Sequence, residues 1–389
     1  MYRCTVIGLS DSHDLWLSPE VRSVIANGKV FSGGKRHHEL VAGVLPNDAL
    51  WIDVTVPLDN VFKEYELHEE IVVFASGDPL FYGLANTILR VFPEVSMKVY
   101  PSFNSLQTLA HRMNMPYNEL HAVSLTGRPW DRFDEALING EEMIGCLTDR
   151  KKTPHAIVER MSEYGYDNYE VFVGENLGNE KMERIGRYDR SRDYDIPNCM
   201  ILKRTRKIPR RFGIPDEEFH LLNGRAKMIT KMPVRLATIA ALELHDKESL
   251  WDVGFCTGSI SIEAKLCNPR LKVTAFEIRE EGRELMSLNS RKFHAPGIEA
   301  VIGDFNAVSL EGTTPPDAVF IGGYGGKMKE MIKKIHSCLR QDGCIVFNSV
   351  SEESRNAFIE ITTGLGMATE ICHTIKVDEN NPITILKAK

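Results

Sequence analysis

The chain has 389 residues, of which 43% are hydrophobic and 26% are charged, and its net charge is −7. This length exceeds what one hydrophobic core usually covers, so two domains are expected. The composition is that of a soluble globular protein. The negative charge argues against a nucleic-acid binder, and no run of eighteen apolar residues is present to form a membrane span.

The eight cysteines and the N-terminus both indicate a cytoplasmic protein. None of the cysteines forms a C-x-x-C pair, so neither a zinc ribbon nor a thioredoxin-like site is predicted, and no protein-bound metal is expected. The N-terminal residues enter a strand pattern at once, without the small-residue cleavage site of a signal peptide. We therefore expect reduced thiols, a cytoplasmic location and no membrane partner.

The first half alternates strand and helix patterns. A helix is predicted at residues 19–27, with a proline near its first turn. The predicted strands are residues 5–8, 50–54, 71–75, 143–147, 169–173 and 200–202. Alternation of this kind predicts an α/β fold whose sheets are covered on both faces.

Turns that follow predicted strands in this half carry the candidate binding residues. The first contains Gly77, Asp78 and Pro79, and it is interpreted structurally as a helix start with Asp78 as the N-cap and Pro79 in the first helical position. A serine-rich turn at residues 101–107 includes Ser105, and a further turn occupies residues 124–129.

A basic segment at residues 203–211, in which six of nine residues are Lys or Arg, marks the expected boundary. The pattern predicts a first domain at residues 1–205, a linker at 206–213 and a second domain at 214–389. The alternative is that these basic residues attract an anionic substrate, because clustered cations concentrate carboxylates or phosphates.

The second half opens with a helix pattern after Thr230, with apolar residues along one face. Thr230 is interpreted either as the N-cap of this helix or as a ligand contact. A loop at residues 254–259 then joins a predicted strand to a predicted helix. Glycines at such a turn let the backbone approach a ligand, and the helix N-terminus offers free N–H groups.

Polar residues follow the next two predicted strands. The strand at residues 272–276 ends in Glu277, which can accept hydrogen bonds from both ribose hydroxyls of a nucleoside. The strand at residues 299–302 is followed by Gly303, Asp304 and Phe305, which are predicted to flank an adenine. Ligands of open α/β sheets bind at these carboxyl ends of the strands, so a nucleoside site is predicted there.

The nucleoside is predicted to be S-adenosylmethionine rather than NAD. A dinucleotide site needs the pattern G-x-G-x-x-G, but Cys256 and Ser259 replace two of its three glycines, which disfavours a dehydrogenase. The frame made by Asp252, Gly254 and Gly258 suits a methionine-bearing nucleoside, which has no pyrophosphate to bind.

The end of the chain agrees with a methyltransferase. A fourth strand at residues 317–321 leads into Gly322–Gly326, a glycine-rich loop around Tyr324 that is predicted to meet the methyl acceptor or, alternatively, to be a plain flexible loop. A fifth strand at residues 344–347 precedes a hairpin made by residues 368–377 and 384–387. Such a hairpin is the usual end of class I methyltransferases.

The second half resembles the decarboxylating precorrin-6B C(15)-methyltransferases of cobalamin biosynthesis. The resemblance covers residues 214–389 and rests on the segments 216–219, 230–231, 251–254, 257–259, 262–264 and 320–323. It implies a doubly wound class I methyltransferase fold that binds the methyl donor through Thr230, Asp252, Gly254, Phe255, Cys256, Thr257, Gly258, Glu277, Asp304 and Phe305. Cys256 departs from the family, which usually has glycine there.

The first half resembles the tetrapyrrole methylase family, in particular its precorrin-7 C(5)-methyltransferase branch. The resemblance spans residues 2–204 and rests on the three turns described above. It implies a two-lobed α/β fold in which Gly77, Asp78, Pro79 and Ser105 hold a second methyl donor. The start of the chain departs from the family, because Gly8 is not followed by a glycine-rich loop with proline.

Together the halves resemble bifunctional enzymes that methylate carbons 5 and 15 of a precorrin-6 type tetrapyrrole and remove carbon dioxide from an acetate side chain. This implies one S-adenosylmethionine site per domain, a tetrapyrrole substrate with or without cobalt, no nucleic-acid partner and a homo-oligomer. Tyr324, Lys231 and Arg235 are the candidate catalytic residues, and cations that could hold substrate carboxylates are Arg128, Arg225, Lys227, Lys231 and Arg235. The open alternatives are a methyltransferase acting on adenine in transfer RNA, with an accessory first domain, and a non-catalytic nucleotide-binding protein.

Overall fold

The computed structural model describes residues 3–12, 15–223, 225, 228–379 and 381–389. The chain divides into two compact units. The first unit contains residues 1–128, 142–157 and 169–205, and the second contains residues 129–141, 158–168 and 206–389. This division differs from the predicted domain limits, because the two short internal segments 129–141 and 158–168 group with the second unit. The predicted limits stay predictions.

A parallel sheet forms the start of the first unit. Its strands are β1 (Arg3–Leu9), β2 (Val30–Gly33), β3 (Leu50–Asp53), β4 (Glu70–Ser76) and β5 (Ser96–Tyr100), in the order β3-β2-β4-β1-β5. The helices between them are α1 (Pro19–Asn27), α2 (Lys35–Val41), α3 (Asp59–Glu66) and α4 (Leu84–Val91). Alternate residues of β1 enter two separate hydrophobic clusters, so both faces of the sheet are covered, as predicted.

A second sheet of the first unit is mixed. Its strands are β6 (Leu120–Ser124), β7 (Met143–Leu147), β8 (Tyr169–Glu175), β9 (Arg184–Arg187) and β10 (Asn198–Arg204), in the order β6-β7-β10-β8-β9. Only β6 and β7 pair in parallel. Strands β8 to β10 follow one another without an intervening helix, and such short connections favour antiparallel pairing. Helix α5 (Ser105–Arg112) packs its apolar face on β7 and β10, and α6 (Asp131–Asn139) and α7 (Pro154–Glu163) follow in the chain.

The second unit is built around a seven-stranded sheet. Its strands are β11 (Ser249–Val253), β12 (Lys272–Glu277), β13 (Ile298–Ile302), β14 (Ala318–Ile321), β15 (Cys344–Ser349), β16 (Thr369–Ile375) and β17 (Ile383–Ala388). Their order is β13-β12-β11-β14-β15-β17-β16, and β17 is antiparallel to both of its neighbours. The helices are α8 (Met232–Leu242), α9 (Ser259–Cys267), α10 (Glu281–Lys292), α11 (Met328–Cys338) and α12 (Glu352–Gly364).

The topology of this sheet places its ligand site. Neighbouring residues of the central strands, such as Leu250 and Trp251 of β11, enter different hydrophobic clusters, so the sheet is covered on both faces. The strand order reverses between β11 and β14, and in doubly wound folds the crevice outside the carboxyl ends at this point binds the ligand. The predicted doubly wound fold with a terminal hairpin is confirmed.

Two predicted helix starts are wrong. Asp78 does not cap a helix: Pro79 to Gly83 form turns, and α4 begins only at Leu84, after Gly83. Tyr82 has a φ of +54°, which a continuing helix would not allow. Thr230 does not cap α8, whose N-cap is Lys231 without a side-chain hydrogen bond. In contrast, the helix predicted at residues 19–27 is confirmed, with Ser18 as its N-cap.

Among the residues that the structure describes, no helix is long and apolar enough to cross a membrane. The same residues contain no group of three or more His, Cys, Asp and Glu side chains arranged to hold a metal ion.

Candidate functional sites

A cavity of about 440 Å³ lies in the second unit at the carboxyl ends of its parallel strands. The predicted residues that line it are Thr230, Asp252, Gly254, Phe255, Cys256, Thr257, Glu277, Asp304, Phe305 and Tyr324. The sheet therefore brings together residues that are up to 94 positions apart in the sequence. Gly258 is not among the lining residues; it is the N-cap of α9, with a φ of +75°.

The loop after β11 depends on two left-handed backbone positions. Gly254 has a φ of +80°, and a Cβ atom there would lie 2.6 Å from the backbone nitrogen of Gly323. Cys256 has a φ of +49°, in the region where glycine carries no steric penalty. The cysteine therefore stands at a position whose backbone favours glycine, and it places a thiol on the cavity wall.

Glu277 is buried and connects this loop to the end of β12. Its Oε2 accepts a hydrogen bond from the backbone nitrogen of Cys256 at 2.9 Å. Its Oε1 accepts from the backbone nitrogen of Arg279 at 3.1 Å and from Nη1 of the same residue at 2.9 Å. A carboxylate has about four lone-pair positions, so one acceptor position remains after these three bonds.

Polar side-chain atoms of three residues of the cavity wall, Asp252, Thr257 and Asn306, have no hydrogen-bond partner among the described residues. The Oδ2 atom of Asp252 accepts from the nitrogen and the hydroxyl of Ser261, at 3.1 and 2.5 Å, but its Oδ1 is unpartnered. The hydroxyl of Thr257 is also buried and unpartnered. Burial raises the pKa of Asp252 to about 7. Because buried polar atoms are nearly always hydrogen-bonded in native proteins, these atoms fit a site for a polar ligand.

The turn after β13 is held by two lysines of the following segment. The pKa of Asp304 is lowered because its carboxylate accepts from the backbone nitrogen of Asn306 at 2.9 Å and from Nζ of Lys327 at 3.1 Å. Lys334 of α11 donates to the carbonyls of Phe305, Asn306 and Val308 at 2.6, 3.2 and 2.7 Å. Sequence reasoning missed Lys334, because nothing local connects a helical lysine with carbonyls nearly 30 positions earlier.

The structure corrects the prediction for Arg235. This side chain is 0% exposed and does not line the cavity. Its Nη1 donates to Asp216 Oδ1 at 3.1 Å and to the carbonyl of Thr230 at 2.7 Å. Its Nη2 donates to the carbonyl of Ile214, and its Nε lies 3.1 Å from Oε2 of Glu263. The guanidinium is thus used inside the fold, where it fixes the segment before α8.

The remaining candidate cations lie in different surroundings. Lys231 does not line the cavity, and its Nζ lies 3.5 Å from Oδ2 of Asp216. Arg225 is exposed and contacts the sulfur of Met228 at 3.9 Å, and Lys227 lies outside the described residues. Arg128 of the first unit donates to the hydroxyl of Ser124 at 2.6 Å. Their roles toward a substrate stay predictions.

The loop after β14 forms another part of the cavity wall. Tyr324 lines the cavity, with its ring 5.9 Å from that of Phe347, and the two glycines that follow it have positive φ angles. Asn348 also lines the cavity, at the end of β15, where its side chain hydrogen-bonds to the hydroxyl of Thr238. Its position at the carboxyl end of a parallel strand is the signal that sequence reasoning could have used.

A larger cleft of about 1000 Å³ lies within the first unit. Gly77, Asp78 and Ser105 line it as predicted, but Pro79 is buried and is not among the lining residues. Gly77 has a φ of +61°, and the Oδ1 of Asp78 accepts from the backbone nitrogen of Leu80 at 2.9 Å. Gly8 leaves no room for a side chain, because a Cβ there would lie 2.0 Å from the carbonyl oxygen of Gly77.

Side chains from several elements complete the wall of this cleft. Arg36 and His37 reach it from α2, and Tyr82, Asn104 and Arg112 also line it. The neighbour of His37 on α2, His38, instead stacks on Trp51 with ring centroids 4.1 Å apart.

Two family models match successive parts of the chain. Residues 4–189 match the Tetrapyrrole (Corrin/Porphyrin) Methylases, and residues 223–388 match the Precorrin methyltransferase domain. A precorrin-6Y C(5,15)-methyltransferase [decarboxylating] of a Sinorhizobium species is 29% identical over 93% of this chain and 88% of its own length. The chain belongs to this family.

Single-function relatives match each half separately. A cobalt-precorrin-6B C(15)-methyltransferase (decarboxylating) of Salmonella typhimurium is 32% identical over 43% of this chain and 85% of its own length. A cobalt-precorrin-7 C(5)-methyltransferase of the same organism is 26% identical over 51% of this chain and 98% of its own length. Proteins of this family are S-adenosylmethionine-dependent methyltransferases. The alternative of a transfer RNA methyltransferase is not favoured, because it leaves the match over the first half unexplained.

Proposed function

We propose that this protein methylates a precorrin-6 type tetrapyrrole at carbons 5 and 15 and removes carbon dioxide from an acetate side chain, as a step of cobalamin biosynthesis. The observation that carries the proposal is the similarity to decarboxylating C(5,15)-methyltransferases over 93% of the chain. We assign the carbon-5 reaction to the first unit and the carbon-15 reaction with decarboxylation to the second, each with its own donor site.

In the second unit, the donor would lie in the cavity along the loop at residues 254–259. Gly254 lets the backbone approach the ligand, and Glu277 has an acceptor position left for a ribose hydroxyl. Asp252, Thr257 and Asn306 each offer a buried atom that lacks a partner among the described residues. A cationic donor beside Asp252 would favour the ionised form of its carboxyl group.

In the first unit, the donor would lie in the larger cleft beside Gly77, Asp78 and Ser105. The turn at Gly77 and Asp78 is held by the bond from the nitrogen of Leu80 to the aspartate, so its backbone groups have fixed directions. This rigidity is what a site needs to align a methyl group with a carbon nucleophile.

The proposed methyl transfer and decarboxylation require side chains mainly to position the donor and the acceptor. Bound S-adenosylmethionine supplies an electrophilic methyl group, and a pyrrolic meso carbon is electron-rich. Alignment in a site can supply about 7–11 kcal/mol of barrier lowering without a strong base. Decarboxylation needs an electron sink, which the conjugated macrocycle provides, and a pocket that partly removes water from one carboxylate. We assign Tyr324 to the wall that faces the acceptor, and Lys231 to a carboxylate of the substrate.

Mass spectrometry of the product tests the proposal. The purified protein is incubated with S-adenosylmethionine and a precorrin-6 substrate, in its metal-free and cobalt forms in parallel. A product heavier by two methyl groups and lighter by one carbon dioxide is expected with one of the two forms. An unchanged mass with both forms, while the donor binds, would overturn the proposal. Methylation of transfer RNA offered in a parallel incubation would then point to the alternative that is not favoured.

The expected homo-oligomer stays part of the proposal, and light scattering coupled to size-exclusion chromatography tests it. A mass of one chain at all concentrations would contradict it.

A further inference from the structure

The cleft of the first unit contains a histidine–serine pair that none of the roles above uses. His37, in the first turn of α2, accepts a hydrogen bond at Nδ1 from the backbone nitrogen of Gly34 at 3.2 Å. Its Nε2 lies 2.9 Å from the hydroxyl oxygen of Ser76, at the end of β4. Both side chains line the cleft beside Gly77 and Asp78.

The hydrogen bonds assign the position of each proton. A backbone N–H can only donate, so Nδ1 of His37 is an acceptor and carries no proton. Burial and the neighbouring Arg36 lower the pKa of His37 to about 4, so the ring is neutral near pH 7. A neutral imidazole with a bare Nδ1 carries its proton on Nε2 and donates it to the Ser76 oxygen.

The Ser76 hydroxyl must therefore direct its own proton elsewhere. Ser76 is exposed to the cleft, and among the described residues its hydroxyl has no hydrogen-bond partner except His37. Arg36 of the same wall is paired with Asp11, so its charge is already compensated. A hydroxyl that directs its proton into a cleft is suited to an anionic acceptor such as a carboxylate, because a hydrogen bond to a charged acceptor is stronger than one to a neutral acceptor.

We propose that Ser76 donates a hydrogen bond to a carboxylate of a ligand in this cleft, and that His37 is the positioning residue that turns the hydroxyl proton toward that ligand. The inference rests on the proposed function, in which two ligands bring carboxylates: the tetrapyrrole acceptor through its side chains, and the methyl donor through its amino-acid end.

A purely structural role for His37 makes a different prediction. His37 occupies the third position of α2 and accepts from the N–H of the N-cap residue, a task that Glu or Gln usually performs in a capping box. If capping were the whole role, loss of the imidazole would weaken the helix whether or not Ser76 were present.

A double-mutant cycle separates the two roles. The variants are Ser76→Ala, His37→Leu and the two combined, in the full chain, with His37→Gln as the conservative control because glutamine offers both an acceptor and a donor. Each is measured for the KM and kcat of carbon-5 methylation, for the calorimetric Kd of S-adenosylmethionine at the first-unit site, and for the thermal midpoint. The carbon-15 reaction is the internal control.

We expect Ser76→Ala to weaken one ligand about tenfold, as loss of a hydrogen bond to a charged group does. A rise in the tetrapyrrole KM assigns the carboxylate to the acceptor, and a rise in the donor Kd assigns it to S-adenosylmethionine. His37→Leu should reproduce the effect in the presence of Ser76 and add less than about twofold in its absence, since the two residues act through one bond. His37→Gln should bind the affected ligand more tightly than His37→Leu does, close to the affinity of the unaltered protein.

Two results would overturn the inference. Unchanged KM and Kd in Ser76→Ala would remove the role of the hydroxyl, and equal losses from His37→Leu in both backgrounds would reduce His37 to a helix cap. Absence of carbon-5 methylation in the unaltered protein would instead overturn the proposed function, while the donor Kd of the variants would still decide whether Ser76 binds the donor.

Discussion

The two candidate donor sites share a backbone feature but differ in the burial of their polar side chains. In the second unit, the ligand cavity is walled by buried carboxylates, since Asp252 and Glu277 are both less than a tenth exposed. In the first unit, the corresponding turn carries a half-buried Asp78 in a wider cleft, with the exposed Ser76 beside it. What they share is a glycine with positive φ at the end of a parallel strand, Gly254 in one and Gly77 in the other. The left-handed glycine is thus the common device, and the polar groups differ.

Replacing Gly254 with alanine should have the largest effect on donor affinity at the second site. A left-handed φ costs an L-residue about 1–2 kcal/mol, and the new Cβ would lie 2.6 Å from a backbone atom of Gly323, which cannot rotate away. We expect donor affinity of the second site to fall at least about a hundredfold, measured by titration calorimetry, with carbon-5 methylation retained.

The matched control for this variant is Gly364→Ala. Gly364 lies in the same unit, at the end of α12, and a Cβ there would have nothing within 4 Å. Wild-type donor affinity in this control and in Gly254→Ala alike would show that the loop is not the donor site.

Replacing Asp78 with alanine tests whether the two units work independently. The change removes the acceptor for the backbone nitrogen of Leu80 and loosens the turn that follows Gly77. We expect kcat/KM for carbon-5 methylation to fall about thirtyfold, while decarboxylation and carbon-15 methylation continue. Product masses separate the two reactions, and a joint loss in a folded variant would contradict the assignment of one reaction to each unit.

Local pattern was enough to predict the second site in outline. Glycines between a strand and a helix, and an acidic residue at the end of the next strand, are short-range signals, and ten of its predicted residues line one cavity. Predictions failed where distant segments decide the environment. Arg235 reads as a solvent-facing cation, but it is buried by Ile214, Asp216 and Glu263, and no local signal carries that information.

The first site was harder to predict for the same reason. Asp78 followed by Pro79 is the usual beginning of a helix, yet the segment turns instead and places Tyr82, whose hydroxyl donates to the carbonyl of Ala122, against a strand of the other sheet. A contact across 40 positions overrides the local preference. His37 and Ser76 are likewise 39 positions apart in the sequence, so their contact depends on the folded structure and has no local sequence signal.

Replacing Glu277 with glutamine should lower donor affinity at the second site by less than Gly254→Ala does. The amide keeps the size of the side chain but places N–H groups where the carboxylate now accepts bonds from Cys256 and Arg279. We expect donor affinity of the second site to fall about tenfold, as for the loss of one hydrogen bond to a charged group. Glu281→Gln, on the exposed first turn of α10, is the matched control. Equal calorimetric affinities in both variants would remove Glu277 from the donor site.

The smallest expected effect concerns the pH dependence of donor binding at the second site. The carboxyl group of Asp252 lines the cavity, and its pKa of about 7 arises mainly from burial, with the negative charge of Glu277 raising it further. Below pH 7 the free protein therefore carries this group protonated. A positively charged sulfonium ligand favours the ionised form, so binding should release a proton and tighten as the pH rises.

We expect the affinity to rise severalfold between pH 6 and pH 8 and to level off above the pKa, where no proton remains to be released. Asp252→Asn should abolish this dependence, because the amide resembles the protonated carboxyl and still accepts from Ser261. Calorimetry in buffers of different ionisation enthalpy measures the proton release directly. The first site has no aspartate buried in this way among its described lining residues, so its donor affinity should change little over the same range. An equal slope at both sites, or an unchanged slope in the asparagine variant, would mean that another group titrates and that burial of Asp252 does not distinguish the two sites.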